Sequence, residues 1–171
     1  PSGVFLDFLH DNNFEAYKSL GELKKKTEKT FDLIVHFFVF EHISDPLKFL
    51  KETYALLNND GIIIAEIPSS TDVLTSIYNI PEFEKFYWSI AHHYYFNPQS
   101  IEYIMKKLGY KYEILPEQRY DLSNHITWMM EGKPGGQSRF KFFSKKTLEF
   151  YKKDLKENWR CDTLILKIFK N

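Results

Sequence analysis

Residues 31–68 constrain the fold of this chain more than any other stretch. FDLIVHFFVF (31–40) and GIIIAEIP (61–68) are continuous apolar, β-branched and aromatic runs, the character of strands buried on both faces as in parallel sheets. Between them Asp45-Pro46 opens a helix. Asp45 suits the N-cap, Pro46 the first turn, and Leu47, Phe49, Leu50, Tyr54 and Leu57 recur at helical spacing. Asn58-Asn59-Asp60-Gly61 breaks that helix. Strand, helix and strand with short connections predict a right-handed parallel crossover, hence an α/β fold.

The flanking elements follow the same rules. Residues 4–13 place Val4, Phe5, Phe8 and Leu9 on one side of a short helix that Asn12-Asn13 would end, and a short strand is expected over 14–18. ELKKKTEK (22–29) reads as a solvated helix face or loop rather than a binding tract. Residues 69–98 form a long insertion-like segment with a dense aromatic stretch at 83–96. Pro98-Gln-Ser starts a helix that Gly109 closes, 110–120 reads as a strand, and 124–137 as a polar, Gly-containing region. A helix with Leu148, Tyr151 and Leu155 on one side and a last strand, TLILKIF (163–169), complete a mostly parallel sheet.

Composition narrows the function classes. The 171 residues suit one domain, and 23 Lys+Arg against 23 Asp+Glu leave no overall field to gather nucleic acid or an anionic membrane. No apolar run approaches the roughly 20 residues that span a bilayer. A single cysteine, Cys161, excludes an internal disulfide and fits a reducing cytoplasm. The 18% aromatic content supplies a core and also pocket walls for flat or cationic ligands.

Ligands of open α/β sheets bind beyond the carboxyl ends of the strands, so the segments to inspect are His36 to His42, Pro68 to Asp72 and the loop before the last strand. Glu41-His42 could act as base or metal ligand, or could fix its loop by hydrogen bonds. Of His92-His93, only one can face a given pocket, and both could equally belong to an aromatic packing layer. Asn124-His125 with Gly135-Gly136 could present backbone N–H groups to an anion or simply turn the chain. The histidines show no HxH, HxxxH or HExxH spacing, so no metal is expected.

FDLIVHFFVFEHISDPLKFLKETYALLNNDGIIIAEIPS (31–69) resembles class I S-adenosylmethionine-dependent methyltransferases: a strand, a hydrophobic stretch ending in Glu-His, Asp-Pro, a helix, a turn and a strand ending in Pro. AHHYYFNPQSIEYIMKKLGY (91–110), 118–136 and 161–168 are similar to later parts of the small-molecule and sugar-modifying subgroup. The resemblance implies a Rossmann-like fold with an antiparallel last strand, a small-molecule acceptor such as a sugar or sugar nucleotide, and S-adenosylmethionine as cofactor. It implies that Ser19 and Leu20 lie by the adenine, that His36 and Phe37 lie against the methionine part, and that His92, with Glu41 and His42, carries the catalysis. Tyr95, Asn124 and His125 fall to the acceptor. Ala91 stands where a Glu often precedes the base. Glu41-His42 is also similar to the metal-binding end of quinone-precursor O-methyltransferases, but Phe38 stands where their upstream Glu falls, which again points away from a metal.

The glycine-rich cofactor loop of the family has no counterpart, since only Gly3 and Gly21 precede Phe31. The resemblance therefore implies a chain that starts after the first two sheet strands and lacks the elements that grip the cofactor most tightly. That would leave the segment 14–18 without its usual neighbour, to collapse onto the FDLIV strand, become disordered or pair with another chain, the last giving a homodimer. Two functions remain open from sequence: methyl transfer, or a non-catalytic methyltransferase-like module with a structural or partner-binding role.

Overall fold

A computed structural model describes residues 3–170. Helix α1 (Gly3–Asp11) ends where Asn13 turns left-handed. Ser19 then caps α2 (Leu20–Lys26): its hydroxyl accepts from the Glu22 N–H, while Glu22 accepts from the Lys18 N–H. The expected strand at 14–18 does not form. No neighbouring strand is available to it among the described residues, and Glu15 instead pairs with Lys29 at 2.7 Å.

The crossover forms as expected. β1 (Phe31–Phe37) leads through a 3-10 turn (Phe40–His42) to α3 (Pro46–Ala55), whose Asp45 cap accepts from the Lys48 N–H, and then to β2 (Leu57–Pro68), parallel to β1. Asn58 to Gly61, read as a turn, lie inside β2 as an irregularity. The register jumps from Phe31 opposite Leu57 to Leu33 opposite Ile62, with Asp60 left-handed.

The short helices α4 (Val73–Ser76) and α5 (Pro81–Tyr87) follow, then α6 (Pro98–Leu108), started by a reciprocal Asn97 and Ser100 capping box and closed by left-handed Gly109. β3 (Lys111–Glu117), α7 (Leu122–Glu131), α8 (Lys145–Glu157) and β4 (Thr163–Phe169) complete the chain. Helix α7 falls in the stretch read as a polar, Gly-containing region. Asp121 caps its start, taking the Asn124 N–H, and left-handed Gly132 closes it.

The sheet order is β1-β2-β4-β3, and β4 runs antiparallel to both neighbours. β1, β2 and β3 therefore share one direction and the last strand opposes them, as expected. Ile63, Ala65 and Ile67 pair with Ile168, Leu166 and Leu164, and all six are fully buried beside Leu50, Ile101 and Met105. At about 1.5–3 kcal/mol for each large side chain, this face is the main source of stability. The other face of β1 corrects the expectation of a strand buried on both sides: Leu33, Val35 and Phe37 remain about half exposed. β1 is an edge strand, so its alternate residues have neither a second partner strand nor full cover.

Candidate functional site

β1, β2 and β3 all end on the side of the sheet where β4 begins, and the chain after each end contributes to one cavity of ≈ 680 Å3. Phe38 enters from β1, Pro68 from β2, Arg119 from β3, and Asp162 and Thr163 from the start of β4. The outer wall is apolar: Phe83 and Phe86 of α5 stand against Trp128 of α7 at ring separations of 5.0 and 5.4 Å. A second core of Val73, Leu74, Ile80, Phe83, Trp128 and Leu155 holds α4, α5, α7 and α8 together behind that wall.

The rim carries strain and charge. Phe38 has a left-handed backbone (φ 53°), uncommon for a bulky side chain, and its N–H is held by the Glu66 carbonyl at 2.9 Å. The Arg119 guanidinium lies 4.8 Å from the Phe38 ring centroid and 3.2 Å from Glu66 Oε2. Below it, the Asp162 carboxylate accepts from the backbone N–H groups of Arg119 and Tyr120 and from Gln118 Nε2. Asp72 caps α4 through the Leu74 N–H and lines the cavity; desolvation, then the nearby Asp162 charge, push its carboxyl up to about 7.

The third part is a histidine cluster. Phe40 turns into the core and carries Glu41 to a position only 2% exposed. The Glu41 carbonyl accepts from the N–H groups of His93 and Tyr94, which clamps the loop after α5 onto the 3-10 turn. His42 Nδ1 lies 2.8 Å from the Ala91 carbonyl, and the His42 and His92 rings meet edge to face at 4.6 Å. His92 lines the cavity while His93 is exposed. Burial, then the neighbouring His42, lower the His92 pKa, and desolvation raises that of Glu41.

The remaining sequence candidates divide. Asn124 lines the cavity. His125 does not reach its wall: it is buried, with Nδ1 2.6 Å from the Tyr151 hydroxyl. Tyr95 donates to the carbonyls of Tyr87 and Ser89 and so fixes the end of α5. Phe37 presents its ring on the open face of β1, whereas His36 points into the core against Phe40 and Phe49, its ring nitrogens unpaired and its pKa pushed down to about 4 by burial. Ser19 is engaged as the cap of α2 and Leu20 is its first residue. Gly136 serves packing, because a Cβ there would lie 2.2 Å from Thr127 Oγ1. Sequence reasoning did not single out Arg119 or Trp128, whereas the aromatic stretch at 83–96 contains Phe83 and Phe86 of the wall and the segment ending in Asp72 is marked by its place after β2.

An open α/β sheet with an antiparallel strand beside β2, and a cavity at its carboxyl ends, defines a Rossmann-like methyltransferase fold. The chain belongs to the methyltransferase domain family, whose model matches residues 3–114. Solved structures share the fold. An S-adenosylmethionine-dependent methyltransferase from Archaeoglobus fulgidus is 17% identical, with 99% of this chain and 73% of that one covered and a TM-score of 0.57. One from Thermotoga maritima, described as a possible histamine N-methyltransferase, is 15% identical over 100% and 71% of the two chains, at 0.58. The plantazolicin methyltransferase BamL, solved with a triazolic desmethylPZN analog and SAH, is 11% identical over 99% and 65%, at 0.56. No curated protein matches by sequence.

Proposed function

We propose that this chain carries the acceptor side of an S-adenosylmethionine-dependent methyl transfer to a small polar metabolite, a sugar or sugar nucleotide, in the cytoplasm. The observation that carries the reading is the cavity at the strand ends with His92 on its wall. Phe83, Phe86 and Trp128 offer flat faces to a ring, Asp72, Asn124 and Gln137 offer hydrogen bonds to hydroxyls, and Arg119 at the rim suits a phosphate.

Phe37 fits the cofactor, since a half-exposed ring at the end of β1 can face a cationic sulfur; His36, turned into the core, does not. When bound, the cofactor supplies an electrophilic methyl on a sulfonium. Toward an acceptor oxygen or carbon in the cavity, His92 would serve as the base that receives the acceptor's proton at a ring nitrogen. Burial and the nearby His42 lower the His92 pKa, which favours the neutral ring over the imidazolium.

Calorimetry with S-adenosylmethionine tests the first half, and transfer of labelled methyl to sugar nucleotides the second. His92→Gln is expected to lower transfer by about 10²-fold or more with cofactor binding unchanged. No detectable heat with the cofactor would favour the non-catalytic module instead.

A further inference from the structure

Glu41 and His42 are neighbours in sequence and His92 lies 50 residues further on, yet one donor atom from each lies within 4.8 Å of the other two. We propose that these three residues form a binding site for a divalent transition metal of the zinc type, with its open side toward the cavity through His92.

The carboxylate makes the first argument. Glu41 is buried, and its Oε2 has no hydrogen-bond partner; Nδ1 of His92 is in the same position. A buried carboxylate oxygen without a partner is costly, and a cation is a partner that the carboxylate and a histidine lone pair can share.

The second argument is the tautomer of His42. A carbonyl only accepts, so His42 Nδ1 donates its hydrogen to Ala91, which leaves Nε2 as a lone pair in the neutral ring. That Nε2 lies 4.0 Å from Glu41 Oε1. Holding one ring nitrogen on a backbone carbonyl so that the other faces the metal is how proteins orient ligating histidines.

The donors select the ion. Two imidazole nitrogens and one carboxylate suit zinc, iron, cobalt or nickel, whereas magnesium and calcium prefer oxygen ligands. Three protein ligands leave an open position, as in catalytic rather than structural zinc sites. Tetrahedral donors at about 2.1 Å from zinc lie roughly 3.4 Å apart, so donor atoms now up to 4.8 Å from one another need to close by up to about 1.4 Å. The backbone is already fixed, because the Glu41 carbonyl holds the N–H groups of His93 and Tyr94 at 2.9 and 3.2 Å. The absence of HxxxH spacing does not count against the site, since that signature belongs to ligands on a single helix and these lie on two loops.

The free-base role of His92 belongs to the metal-free protein, whereas with the cation bound His92 lends its lone pair to the metal. Metal uptake is measured with neither cofactor nor acceptor present, so its outcome is separate from that of the methyl-transfer reading. Chelator-stripped protein titrated with Zn2+ is expected to bind one equivalent saturably. Glu41→Gln and His92→Asn should each weaken binding by more than about 10-fold, while His93→Asn should leave it unchanged. Co2+ should give visible absorption bands, and Mg2+ in about 100-fold excess should not displace zinc. Without any variant, Zn2+ should protect His42 and His92 from diethyl pyrocarbonate, mapped by mass spectrometry. No saturable zinc uptake by the wild type, variants that bind equally well, or no protection of either histidine would overturn the site.

Discussion

Asp72 caps α4 and lines the cavity, and burial makes it sensitive to pH in a definite direction. Its folded pKa of about 7 lies above the ordinary 3.8, so the folded state holds the extra proton between those values. The stability it contributes is full below about pH 4 and is lost as pH rises through about 7, by up to roughly 4 kcal/mol as an order of magnitude. Asp72→Asn keeps a competent cap and is expected to flatten that loss, seen as a smaller drop in denaturation midpoint between pH 5 and 8. His36 and His125 act in the opposite sense. Each is pushed down to about 4, so their contribution is full above 6.5 and lost as pH falls toward 4. At this scale the sequence exposed the chemistry of Glu41, His42 and His92 but not their meeting. That depends on the backbone clamp between the 3-10 turn and the loop at 93–94, which no local pattern records.

Among the elements, α3 and α6 were legible because their signals are local: Asp45 with Pro46 for one, Asn97, Pro98 and Gly109 for the other. Helix α7 was hidden because its start, Ser-Asn-His, is polar, and those three side chains are buried by tertiary packing rather than by an apolar stripe. Gly135 and Gly136 drew attention as an anion loop, yet Gly136 is where the following loop presses onto α7. Gly136→Ala forces a Cβ onto Thr127 and Asn124 and is expected to cost about 1–3 kcal/mol, measured by chemical denaturation. An unchanged midpoint would mean the loop can lift away freely.

For the whole molecule, the parallel crossover and opposed last strand were readable from apolar runs and their spacing. The exposure of β1 was not, because whether a strand is covered depends on what lies beside it. Half-exposed Leu33, Val35 and Phe37, with a strand edge that has no partner among the described residues, are the ground on which we propose pairing between copies. Light scattering is expected to show particle size rising with concentration, and Val35→Lys is expected to reduce it. A wild type that stays monomeric at high concentration would sink that expectation.

The place of β4 between β2 and β3 has a consequence for the order in which the protein is made. Among the described residues β3 pairs with β4 alone, so residues 111–117 leave the ribosome about fifty residues before their partner strand does. During synthesis the β1-α3-β2 unit can assemble first, while β3 waits with its hydrogen-bonding groups unmatched. The floor of the cavity, with Asp162 gathering Gln118, Arg119 and Tyr120, therefore forms only once β4 is available.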